Sequence, residues 1–315
     1  MCATTDNRSK GETASRDDLR DAPRVLRPWI AFRRSVPRVE ILPGVDAAFP
    51  AVAAAIMTAL RFGIDRVLLA RGWPEGSTYT TETGMNASSA TNAAFLTLGV
   101  GAVLFCGAVP YVPSAKLADA PRWWRDAAEG FLCWCTGYMV YDMAFIHYAA
   151  VNSEHGWEFF ELACFIHHFA TTAYMVSNLW IGAGHMSALM LMFTGELTNP
   201  FMNGLFISRF AIKVFDDEWI HNLHPYVEIT HAVLYSIMRT FIGPLVALHL
   251  TRDLLMTERG RQNVPRWLSL TWITLCWVVL LGSLPWTKDS IDMALDGMEV
   301  RFHKDYDYGA RYAEL

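Results

Sequence analysis

"ACFIHHFATTAY", residues 163–174, sets His167 and His168 side by side in a segment apolar enough to lie in lipid. A charged side chain at the centre of a membrane helix costs ~2.5–3.5 kcal/mol on insertion scales, and by default it marks a functional site. The stretch sits inside a longer run, residues 158–180, and about 20 predominantly apolar residues suffice to cross a bilayer as a helix. On such a helix Glu161 and His168 are seven residues apart and share a face, whereas His167 points about 100° away.

Similar blocks recur on both sides. Hydrophobic residues make up 53% of the 315, charged residues only 18%, and mean hydropathy is +0.20. Soluble chains carry about 25% charged residues. The pattern predicts an all-α, polytopic membrane bundle with about seven spans: 48–70, 90–110, 130–150, 158–180, 184–206, 227–250 and 267–286. Domain organisation follows: an amino-terminal region 1–47, a membrane bundle 48–286 and a polar tail 287–315. Residues 1–22 are polar without apolar period and read as disordered. In 23–42, apolar Val25, Leu26, Trp29, Ile30 and Phe32 alternate with Arg24, Arg27, Arg33, Arg34 and Arg38, as in a segment lying among lipid headgroups or a basic flank to the first span.

The net charge of −5 without a basic stripe excludes a nucleic-acid partner. Five of the six cysteines fall in apolar blocks and read as small buried residues, not a disulfide framework. The opening residues do not resemble a secretory signal, so the first span is expected to direct insertion. Arginines concentrate in the amino-terminal region and in loops 111–129 and 251–266, which favours a cytoplasmic amino terminus. Asn86 opens an N-x-S sequon in the expected first non-cytoplasmic loop.

The spans hold a sparse polar set. Arg61 and Asp65 are spaced to pair along one helix or to snorkel to the interface. Asp142 stands mid-span beside Tyr138 and Tyr141. In "GELTNPFMN" Glu196, Asn199 and Asn203 share a face, and Pro200 is expected to kink or unwind the helix beside Glu196. Arg239 in mid-span calls for a carboxylate, with Asp142 and Glu196 at similar depth. His221 and His224 fall in an expected loop. No metal site is expected, because adjacent histidines do not converge on one ion and HxxxH spacing is lacking. Spread over a lipid-facing surface these groups would be ruinous, whereas in an internal polar cavity they satisfy one another.

"TGYMVYD", "FIHHFATTAY", "GELTNPFMN" and "SIMRTFIGP" together resemble the TLC-domain family in order and spacing, over roughly 90–285. Ceramide synthases of this family carry a downstream acidic H-D-x-x-D stretch. This chain has "GELTNPFMN" in that place and is similar to the other branch. The resemblance implies residence in endomembranes, most of all the endoplasmic reticulum, and a role in lipid homeostasis with membrane lipids as partners. Two activities fit. One is lipid binding or sensing in the chamber, with Arg239, Asn203, Asn199, Tyr141 and Glu161 as contacts. The other is ceramide-synthase-like N-acyl transfer with acyl-CoA as co-substrate, His167 or His168 as base or nucleophile, and Asp142 or Glu196 orienting the ring. No other cofactor is expected, and a homodimer is compatible with either.

Overall fold

The computed structural model describes residues 18–152, 156–157, 159–215 and 217–302, without the side chains of 149, 152, 159–161 and 296–302. The Glu161 side chain, most of the stretch expected to be disordered, and the end of the tail lie outside the described residues.

The chain is all-α, as expected, apart from a small antiparallel pair, β1 (Glu40–Leu42) and β2 (Val45–Asp46). The helices are α1 (Arg27–Ser35), α2 (Ala48–Ala70), α3 (Thr78–Phe105), α4 (Arg122–Asn152), α5 (Phe159–Ile181) and α6 (His185–Glu196). They continue with α7 (Asn199–Phe215), α8 (Glu218–Ile237), α9 (Gly243–Met256), α10 (Glu258–Asn263), α11 (Arg266–Gly282) and α12 (Leu284–Phe302). The link from α8 to α9 is a π-helical turn, Met238–Ile242. Pro244 explains it: lacking an N–H, it cannot close the α-type bond to the Thr240 carbonyl, so the ladder re-registers there.

Among the described residues three helices are long and apolar enough to cross a membrane: Thr78–Phe105, Glu218–Met256 and Arg266–Leu295. The seven spans expected from hydropathy are therefore matched in part. α2, α4 and α5 have spanning length, at 23, 31 and 23 residues. The fifth expected span is two helices, α6 and α7, parted at residues 197–198 immediately before Pro200. Large apolar side chains stand exposed in stripes, such as Leu162, Ile166 and Phe169 on α5 and Ile237, Phe241 and Leu245 across the π turn. In water such patches would be costly, whereas in a bilayer they face acyl chains.

The chain divides into two compact units. The first runs to Leu60 and takes in Ala94–Phe193 and Leu245–Val279; the second comprises Arg61–Ala93, Thr194–Pro244 and the residues from Leu280. In the first, Trp29 is the hub of an aromatic core. It stacks on Phe131 at 4.5 Å and meets Phe49, Phe95 and Trp134 edge-on or tilted. Its Nε1–H donates to the Ala127 carbonyl at 3.3 Å. Gly99 and Gly137 permit this density, since a Cβ at either would strike the Phe131 ring or the Pro50 carbonyl. α1 is thus amphipathic as expected, and its apolar face docks on α4. Arg33 pairs with Asp46 at 3.0 Å and lies over Phe49, Arg34 binds Asp126 and Asp18, and Arg38 pairs with Glu129. Burial pushes the Glu129 carboxyl above its ordinary pKa, against the opposing pull of Arg38 and Arg33.

The second unit packs α7 and α12 against α8. Trp73, Ala211, Ile212 and Ile220 form an apolar cluster, with Phe215 edge-on to Trp73. Several expected loops are helix here. α3 begins at Thr78, not near 90, so Asn86 lies inside a helix, where its Nδ2 donates to the Glu82 carbonyl at 2.8 Å. Most of the expected tail up to Phe302 is α12, with Thr287, Ser290 and Ala294 buried. Residues 218–226, expected as loop, open α8, because Asp217 in extended conformation starts a helix whose buried face runs Ile220, His224, Glu228, His231 and Tyr235.

Candidate functional site

The sequence candidates fall into two sets, one in each unit. In the first unit, α4 and α5 pack side by side and bring Asp142 to His168, with Nδ1 and Oδ2 3.3 Å apart. The separation suits an ion pair, but the angle does not meet hydrogen-bond geometry, and the His168 Nδ1 is otherwise buried. His168 keeps only 14% of its side chain exposed and Asp142 18%, so the dyad is inside the protein. The exposed stripe Leu162, Ile166 and Phe169 explains this, since it turns the opposite side of α5 to lipid. His167 lies with its ring 5.6 Å from that of His168, tilted and off the dyad axis. Tyr141 is buried between Tyr138 and Phe145.

In the second unit the helix break presents a ladder. Asn199 Nδ2 donates to Glu196 Oε2 at 3.0 Å, and Asn203 Nδ2 donates to the Asn199 carbonyl at 2.8 Å and to Ser89 Oγ at 3.1 Å. Glu196 and Asn203 are buried. Arg61 pairs with Asp65 at 2.9 Å and donates to the Thr81 carbonyl, and Gly84 makes room, since a Cβ there would come within 2.8 Å of Arg61 Nε and strike Asp65. Pairing, not snorkelling, accommodates Arg61, which is 5% exposed.

Arg239 departs from expectation. Among the described residues no carboxylate lies within ion-pair distance of it. Its guanidinium sits over the Tyr235 ring, 5.3 Å from the centroid, and its Nε is buried without an acceptor. The sequence reading also passed over a buried set on α7 and α8. Arg209 reaches Glu228 at 3.4 Å, and the fully buried His224 shares a 2.7 Å hydrogen bond between its Nδ1 and Ser208 Oγ. The spacing of His224, Glu228 and His231, at i, i+4 and i+7, would have shown their common face had the segment been taken as helix. Among the described residues no three His, Cys, Asp or Glu side chains gather as a metal site.

The family model described as TLC domain matches residues 91–291. The chain belongs to the TLC-domain family. The match starts within α3 and ends within α12, so it covers the Asp142–His168 dyad and the ladder of Glu196, Asn199 and Asn203, while Arg61, Asp65, Ser89, α1 and the β pair precede it. No curated protein and no solved structure matches the chain. The TLC domain makes this a membrane protein of lipid-related function.

Proposed function

We propose that this TLC-domain protein holds a membrane lipid in a polar chamber within a bundle of about seven spans, and so binds or senses lipid in the endoplasmic reticulum membrane. The observation that carries the reading is the break between α6 and α7, flanked by the buried ladder of Glu196, Asn199 and Asn203. Interrupted backbone at membrane depth is tolerated where it is buried in protein or lines a cavity, because exposed peptide groups cost several kcal/mol in hydrocarbon. Amides and a carboxylate there offer donors and acceptors to a lipid's polar group. In cells lacking the endogenous protein, wild type restores membrane-lipid composition and Asn199→Leu/Asn203→Leu does not. An unaltered lipidome with both would overturn the reading.

A second reading, N-acyl transfer from acyl-CoA, is favoured by one contact, that of His168 with Asp142. Asp142 on the Nδ1 side would hold the ring with Nε2 as the base. As an amine nitrogen attacks the thioester carbon, Nε2 takes the amine proton. The C–S bond then breaks and the imidazolium returns that proton to the departing thiolate, leaving an amide and free CoA. Purified protein supplied with acyl-CoA and a long-chain base should then form amide, and His168→Ala should abolish it. No product from wild type would end this reading and leave the binding reading in place.

A further inference from the structure

Arg239 is the 22nd residue of the 39-residue helix Glu218–Met256, and therefore close to mid-membrane. Of the arginines in the second unit, the exposed Arg66 on α2 needs no partner, while Arg61 has Asp65 and Arg209 has Glu228. Arg239 has the Tyr235 ring, and a ring quadrupole offsets only part of a guanidinium's lost hydration. Its neighbours repeat the deficit. The Nε of Arg209 is buried without an acceptor, and the Nδ1 of His231, a residue 6% exposed, is buried without a partner. These groups are contiguous: Arg209 acts electrostatically on His231, the His231 ring lies 5.4 Å from that of Tyr235, and Tyr235 carries Arg239. The π turn falls at this place, and such turns recur at functional sites.

A row of hydrogen-bond donors with excess positive charge and too few acceptors is complementary to an oxyanion. Neutral ester or amide carbonyls would supply acceptors but leave the Arg239 charge uncompensated in a low-dielectric setting, where charge pairing is worth most. We propose that the face formed by Arg239, Tyr235 and His231, with Arg209 beyond, binds the anionic head of a single-chain lipid, a carboxylate or a phosphate monoester. The acyl chain would follow the neighbouring apolar surface. This rests on the lipid-holding reading and adds to it the charge class of the ligand.

The test uses the full chain in neutral detergent, with oleate, 1-oleoyl-lysophosphatidate and methyl oleate as probes. At least one of the two anions should bind ten-fold or more tightly than methyl oleate, and which one does so identifies the source of the oxyanion. Arg239→Gln should remove that preference while keeping the helical content of wild type by circular dichroism, the latter reporting an intact fold. Should that variant fail to fold, Arg209→Gln is read the same way and should reduce the preference at least three-fold. Equal binding of all three probes, or a preference that survives in the folded variant read, overturns the proposal and spares the lipid-holding reading. Failure of any probe to bind overturns both.

Discussion

The two units place their charge pairs differently. The first pairs its amino-terminal arginines early in the chain. Arg33, Arg34 and Arg38 each face a carboxylate, and the space between is filled by aromatic rings around Trp29. Its helices hold the dyad of Asp142 with His168 beside buried tyrosines, and the buried His185 and Asn178. The second unit carries a chain of amides, hydroxyls, imidazoles and guanidinia along α3, α7 and α8, and it leaves donors over at Arg209 and Arg239. An aromatic core with paired arginines suits a scaffold that holds a base in position. A polar seam with unspent donors suits a site that awaits a ligand.

The sharpest way to break this contrast is at Asp46. Its Oδ2 meets Arg33, and its Oδ1 accepts the backbone N–H groups of Val39 and Ala48. Asp46→Ala leaves a buried guanidinium unpaired and uncaps α2, a loss of about 3–5 kcal/mol. Thermal unfolding of the purified protein should fall steeply, and an unchanged midpoint would show that the first unit is not held by this pair. In the second unit Gly84→Ala forces Arg61 and Asp65 to shift, at a cost of about 1–3 kcal/mol. The same scan should show a smaller drop. If it exceeds that of Asp46→Ala, the ranking of the units is reversed.

The sequence was most legible where one residue has one consequence. Pro200 placed the break between α6 and α7, and the apolar stripe of α5 placed His168 inside. It was least legible where polarity has two explanations. "TYTTETGMNASSATN" opens α3 with Thr83, Ser88 and Asn92 buried, yet a polar run has the same mean hydropathy whether it is a solvated loop or the buried face of a helix. The same ambiguity hid the face that His224 and Glu228 share with His231, since residues 218–226 read as loop. The partner of Arg239 was missed for another reason: demand for a counter-charge can be read from sequence, but which group meets it cannot, and here that is the Tyr235 ring.

A smaller effect sharpens the picture of the first unit outside the membrane helices. Burial, reinforced by the charge of Asp253, pushes the Tyr111 hydroxyl up to about 12. Its pKa is raised on folding, so the stability it contributes is intact below about pH 10 and is lost as pH rises toward 12. Difference absorbance between wild type and Tyr111→Phe should show this phenol ionising well above the ordinary range. Ionisation near pH 10 would place it in contact with water.

The central claim is that polar groups at the α6–α7 break are turned inward to hold lipid, and native mass spectrometry of the protein released from mild detergent tests it most directly. Wild type should retain a bound lipid through delipidating washes, and Glu196→Leu/Asn203→Leu should lose it while keeping its helical content. Lipid-free wild type, or equal retention by the folded variant, would contradict the account.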